Sequence, residues 1–147
     1  MRAQATIKLT GPMDHLRLVW QTGETMLETV PFAEDPEGTR YNVLLALQEM
    51  VTNVLRHAYS GDEHQPIEVA FAVEEEQLHI ELRDRGRAFD PLRYRVDVVD
   101  EADALPTEVG GFGIPFARAV MDDVGYVREG GWNCLRLTKR FRKAVHA

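Results

Sequence analysis

The chain is short of several things, and each shortage narrows its chemistry. Among 147 residues there is one cysteine, Cys134, so no internal disulfide can form and a reducing cytoplasm is the expected setting. Serine occurs once, at Ser60, outside any Gly-x-Ser-x-Gly turn, which argues against a Ser-His-Asp hydrolase. No apolar run approaches the ~18–20 residues that span a bilayer, and the opening MRAQATIKLTG lacks the apolar stretch of a signal peptide, so no membrane is expected as a partner. Positive charge is in deficit too: 17 Lys and Arg against 24 Asp and Glu leave a net charge of −7. Such a surface repels phosphate backbones and argues against nucleic acid, while a small local phosphate site stays possible. The five histidines show no metal-ligand spacing with the cysteine, and neither a GxxxxGK[ST] loop nor a GxGxxG behind an early strand is present.

What is present is an ordinary globular composition, 44% hydrophobic and 28% charged, long enough for a core without disulfides or metals. Ala5–Thr10 reads as a short strand stopped by Gly11-Pro12. Residues 14–30 fit both a strand alternation and a helical stripe. The stripe runs longer, so a helix is expected, weakened by Gly23 at its middle.

Pro36 to Ala58 carries the strongest helical pattern, with Asp35 as N-cap, Pro36 at the first position and Glu37 in the first turn. At about 100° per residue, Val43, Leu44, Leu47, Met50, Val51, Val54 and Leu55 form one apolar arc. Glu49 and Asn53 fall together on the opposite, polar face, one turn apart.

Ile67–Val73 and Leu78–Leu82 alternate around Glu74-Glu75-Glu76, a hairpin with one buried face. Asp84 to Pro91 is a sharp loop, and residues 92–109 are acidic and weakly patterned. Gly110-Gly111-Phe112-Gly113 opens a helix through Met121, with Pro115 expected in its first turn. A last hairpin, Val124–Arg128 and Cys134–Lys139, turns at Gly130-Gly131, and a basic tail closes the chain from about residue 140. The resulting fold class is α+β: a two-layer sandwich with a mixed, mostly antiparallel sheet and helices on one face, in a single domain over 1–147.

Three clusters could carry chemistry. Glu49-x3-Asn53 on a helix could hold hydrated Mg²⁺ and polarise a nucleophile. Asp84-x-Gly86 at a strand end could accept a hydrogen bond from a ligand amine while a flat ring approaches the glycine backbone. Gly110-Gly111-x-Gly113 at a helix start suits phosphate. Taken one at a time, a solvated helix face, an Asp/Gly turn and a flexible joint account for them better.

In this order and spacing, however, ALQEMVTNVLRHAY (46–59), LRDRGRAFDP (82–91) and GGFGIPFARAVMDDVGY (110–126) resemble the N, G1 and G2 boxes of the GHKL (Bergerat-fold) ATPases. The likeness covers roughly residues 35–140. It is nearer to the stand-alone anti-sigma factor serine/threonine kinases than to histidine kinases, because no phosphoacceptor histidine precedes the boxes.

The resemblance implies Mg²⁺ on Asn53, Glu49 as general base and Asp84 as acceptor from the adenine amine. It implies ATP contacts along Gly86, Ala88 and Phe89 and along Gly111, Phe112 and Gly113, with 92–109 as the ATP lid. Ala88 stands where the larger superfamily often has a second glycine, which the D-x-G-x-x-F-D-P pattern of the stand-alone branch accommodates. The implied partners are a STAS-type anti-sigma factor antagonist, phosphorylated on Ser or Thr, a sigma factor or other regulated protein, and a second copy in a homodimer. A non-catalytic nucleotide-binding regulatory module of the same fold is the alternative. His57 is expected to pack or cap and Cys134 to be a half-buried strand residue.

Overall fold

A computed structural model describes residues 3–10, 15–59, 65–88 and 110–141. Along the chain come β1 (Ala3–Leu9), α1 (His15–Leu27), α2 (Pro36–Asn53), a π-helical turn (Val54–Ala58), β2 (Ile67–Val73), β3 (Gln77–Asp84), α3 (Gly110–Val120), β4 (Asp123–Glu129) and β5 (Trp132–Arg140). The strands form one five-stranded open sheet in the order β1-β2-β3-β5-β4. Among the described residues every pairing is antiparallel, so the expected mixed, mostly antiparallel sheet shows no parallel pair there.

Strand period two builds the core. Ile67, Val69, Phe71 and Val73 on β2 and Leu78, Ile80 and Leu82 on β3 point to one face and are fully buried. Leu135 and Leu137 extend that face onto β5. From α2, Val43, Leu44, Leu47, Met50 and Val51 close over it, so the apolar arc read from the sequence is the buried one. Two cross-strand rungs are Phe71↔Ile80 and Ile80↔Leu137.

Local chemistry sets the helix ends. Asp35 adopts a left-handed conformation (φ 40°), and its carboxylate accepts from the Gly38 N–H at 3.3 Å. A Cβ on Gly38 would fall 2.1 Å from that carboxylate, so any other residue there would make the Asp35 side chain shift. Arg40 then donates to the Leu27 and Val30 carbonyls, tying the end of α1 to the start of α2. At the other end of the fold, Lys139 Nζ donates to the Val120 carbonyl at the C-terminus of α3.

Four features differ from the sequence reading. The α-helix stops at Asn53, and residues 54–58 widen into a π turn in which the Tyr59 N–H reaches back to the Val54 carbonyl at 3.0 Å. Hydrophobic period alone does not register that extra residue per turn. Pro115 is the sixth residue of α3 rather than a first-turn residue, so it gives the Gly111 carbonyl no helical hydrogen bond. Cys134 is buried, not half-buried, beneath the Arg83–Trp132 contact on the outer sheet face. Arg140 ends β5 and Phe141 is buried edge-on against Phe32, so these two residues belong to the packed structure rather than to a tail. The remaining tail residues, 142–147, lie outside the described residues.

Gly23 weakens the helical pattern in sequence, yet it is buried where α1 meets α2 and the sheet. A Cβ there would sit 2.7 Å from Leu44 Cδ2 and 3.6 Å from the Phe71 ring. Glycine costs helix propensity and gains close approach. Gly23→Val is therefore expected to destabilise the protein by about 1–3 kcal/mol through overpacking, read as a lower urea midpoint at unchanged slope.

Candidate functional site

The inner face of the sheet is apolar until its last rung. On β3 the inward series Leu78, Ile80, Leu82 ends in Asp84, and on β5 the series Leu137, Leu135 ends in Asn133. Asp84 and Asn133 are direct register partners. Both are only 3% exposed, so two polar side chains sit at the rim of the core at the price of desolvation.

Asp84 is held by its surroundings. Its Oδ1 accepts from the Gly86 N–H at 2.9 Å and from Asn133 Nδ2 at 2.8 Å. Burial pushes the carboxyl above its ordinary pKa, opposed by the Asn133 and Gly86 hydrogen bonds and by the Arg128 charge. Gly86 is buried beside it, and Ala88 is exposed at the end of the loop.

Across a small cavity stands the end of α2. Met50, Asn53, Val54, Asp84, Tyr126, Asn133 and Leu135 line this space, whose volume of about 20 Å³ is of the order of one water molecule. Asn53 is 3% exposed, and neither its Oδ1 nor its Nδ2 has a hydrogen-bond partner among the described residues. The solvated helix face is thereby excluded: Asn53 faces inward. One turn earlier, Glu49 is half-buried with Oε2 unpartnered, its pKa raised by burial against the lowering effect of Arg56.

An unsatisfied buried amide costs stability, so its retention points to a partner that arrives from outside. Its carbonyl oxygen is a hard donor of the kind Mg²⁺ takes. No group of three His, Cys, Asp or Glu side chains able to hold a metal occurs among the described residues. The donor set thus fits an ion bound through one protein oxygen plus ligand phosphates, and does not fit an all-protein metal cage.

The π turn is pinned to the loop after β3 at two points. Arg87 Nε donates to the His57 carbonyl at 2.7 Å, and the Tyr59 hydroxyl accepts from the Arg85 N–H while donating to the Pro66 carbonyl. This fixes the Asn53 end of α2 against the Asp84–Gly86 loop. Gly111 and Gly113 lie in the first turn of α3, and α3 packs on α2. Phe89 and residues 92–109 lie outside the described residues, and of Phe112 only its place in α3 is described.

The structure thus brings Asn53 and Asp84 to one cavity, with Glu49 one turn away. Tyr126, Arg128 and Asn133 were missed in sequence. Their signal was faint: polar groups at alternate positions of the last hairpin, in register with its inward apolar series.

A family model described as the histidine kinase-like ATPase domain matches residues 13–139. Among curated proteins, a serine-protein kinase RsbW of Bacillus cereus (strain Q1) is 31% identical over 142 residues, covering 93% of this chain and 84% of that one. The RsbW of Oceanobacillus iheyensis is 34% identical over 83 residues, a match spanning only about half of each chain (54% and 52%). Among solved structures, the RsbU and RsbW domains of Rv1364c from Mycobacterium tuberculosis superpose over 97% of this chain and 34% of that one, with TM-score 0.64 and 19% identity. The SiaB–SiaC complex of Pseudomonas aeruginosa covers 90% of this chain and 88% of the matched one, with TM-score 0.59 and 14% identity. These two show the shared fold. The chain belongs to the histidine kinase-like (GHKL) ATPase family, on the branch of the RsbW serine-protein kinases. No helix among the described residues is long and apolar enough to cross a membrane.

Two outcomes test the site without any ligand assay. Asn53→Leu replaces the unsatisfied amide O and N by two methyl groups beside a cavity that can take their larger volume, so the ligand-free protein is expected to gain about 1 kcal/mol in urea unfolding. Glu49 has its folded pKa above the unfolded one, so it destabilises the fold at neutral pH and ceases to do so as pH falls through that window. Glu49→Gln should therefore unfold later than wild type at pH 7, with the difference closing on acidification; a constant difference at all pH values would assign it to packing.

Proposed function

We propose that this member of the histidine kinase-like ATPase family is an anti-sigma factor-type serine/threonine protein kinase that uses ATP and Mg²⁺. Its substrate in this reading is a STAS-type anti-sigma factor antagonist. Phosphorylation releases the antagonist and leaves the kinase, as a homodimer, to hold a sigma factor or another regulated protein. The observation that carries the reading is the buried, unpartnered Asn53 amide one turn from a desolvated Glu49, over the cavity that Asp84 lines.

In this reading Asn53 Oδ1 would hold Mg²⁺, which would supply positive charge to the phosphates. Asp84 accepts from the adenine amine, and Gly86 lets the base lie against the backbone. Gly111 and Gly113 offer N–H groups to the phosphates at the start of α3. By the family resemblance residues 92–109 are assigned the ATP lid and Phe89 and Phe112 nucleotide contacts, and Ala88 takes the place of a second glycine in the base loop.

Glu49 receives the proton of the acceptor hydroxyl as its oxygen bonds to the γ-phosphorus and the bond to the β-phosphate oxygen breaks, releasing ADP. Burial raises the proton affinity of Glu49, which suits a base working near neutral pH. An intact, desolvated Glu49 weighs against a purely binding module, in which that carboxylate would serve only to organise water and Mg²⁺. The serine-protein kinase names of the relatives support a protein as phosphate acceptor.

Calorimetry with ATP, with and without Mg²⁺, on wild type and Asn53→Ala tests the site. Mg²⁺-dependent binding that weakens in the variant is expected, and absence of binding to wild type would end the kinase reading. With candidate antagonists, Glu49→Ala is expected to keep ATP binding and lose about 10²–10⁴-fold in phosphoryl transfer. Transfer that survives the substitution would remove Glu49 from the base role.

A further inference from the structure

Asp84 does not stand alone in the cavity wall. Asn133 donates both amide hydrogens inward, to Asp84 Oδ1 at 2.8 Å and to the Arg87 carbonyl at 2.9 Å. Its own Oδ1 accepts from Arg128 at 2.9 Å and from the Tyr126 hydroxyl at 2.5 Å. Arg128 also donates to the Gly86 carbonyl at 3.0 Å. The orientation of the amide is forced. Turned over, its oxygen would face two acceptors and its nitrogen would face a guanidinium. All of this occurs on a side chain that is 3% exposed, where a mispaired polar group is costly.

The consequence falls on the two oxygens of Asp84. Gly86 and Asn133 both donate to Oδ1, and Oδ2 makes no hydrogen bond among the described residues. We propose that Asn133, locked by Arg128 and Tyr126, is the positioning residue for base selection: by occupying Oδ1 it presents Oδ2 to the cavity as a fixed acceptor, so that the site selects a base bearing an amine there over one bearing a carbonyl. The selectivity belongs to the relay Arg128–Asn133–Asp84, not to Asp84 by itself.

This rests on the nucleotide reading above, and the test separates the two. ATP and inosine triphosphate differ at the base edge by an amine against a carbonyl, and their triphosphates are identical. Wild type is expected to bind ATP about 10–100-fold more tightly, the factor a hydrogen bond to a charged acceptor supplies. Asn133→Leu keeps the approximate shape and removes the donors. Arg128→Met keeps an apolar stem at an exposed position on the edge strand β4 and removes the lock.

In both variants ATP affinity should fall about tenfold while that for inosine triphosphate stays the same, so the ratio narrows. Thermal unfolding of Arg128→Met confirms a folded protein. A parallel loss for both nucleotides, or no loss for either, would overturn the relay and leave it as scaffold. Equal binding of the two nucleotides by wild type would overturn the relay and keep the nucleotide site. No binding of either would overturn both.

Discussion

Desolvation at the rim of the core is the constraint from which the rest of the site follows. The inner sheet face is apolar along β2, β3 and β5, and helices close over it. Where that face runs out, Asp84 and Asn133 occupy positions that the strand period makes inward-facing. A carboxylate there must be paired or protonated. The structure pairs it, through Gly86 and through an amide that is itself held from behind by Arg128 and Tyr126. On the opposite wall Asn53 is left without such a partner. One polar group is satisfied from within the fold and the other is not. On that asymmetry rests the reading of the cavity as a ligand site rather than a packing defect.

The geometry between those walls depends on two departures from regular structure. After Asn53 the helix widens into a π turn, which exposes the His57 carbonyl to Arg87 and places Tyr59 under the Arg85 N–H. π turns lower the local regularity of hydrogen bonding, and they persist where side chains or loops take up the slack. Here the loop after β3 does so. The same loop carries Asp84 and Gly86, so the Asn53 and Asp84 walls of the cavity are joined by side-chain-to-backbone hydrogen bonds rather than only by shared packing. Gly23 works on a smaller scale: it gives up side-chain volume so that α1 can approach Leu44 and the Phe71 ring.

Burial also tunes the acid–base chemistry. Glu49 and Asp84 are both pushed above their ordinary values by desolvation, yet their companions differ. Asp84 has two donors and the Arg128 charge to oppose burial, which suits a group that must stay an acceptor. Glu49 has only the opposing charge of Arg56, which suits a group that takes up a proton. Similar carboxyl groups are given different surroundings, and the proposed acceptor and base roles rest on that difference.

Composition, spacing and period by themselves determined a good deal. The single cysteine, the negative charge and the absence of long apolar runs bounded the class of protein. The alternation in 67–73 and 78–82 and the arc on 43–55 located the core faces, because strand and helix periods are properties of local backbone geometry. The order of Glu49, Asn53, Asp84, Gly86 and Gly111-x-Gly113 identified the family, since the boxes are local and each is read within a few residues. Tertiary structure alone decided that Asn53 points inward, that the helix changes its winding after it, and that Cys134 is buried. It alone brought Asn133, Arg128 and Tyr126 behind Asp84, across 49 residues in the case of Asn133. Burial and register are set by what packs opposite, and no local period encodes the partner across the sheet.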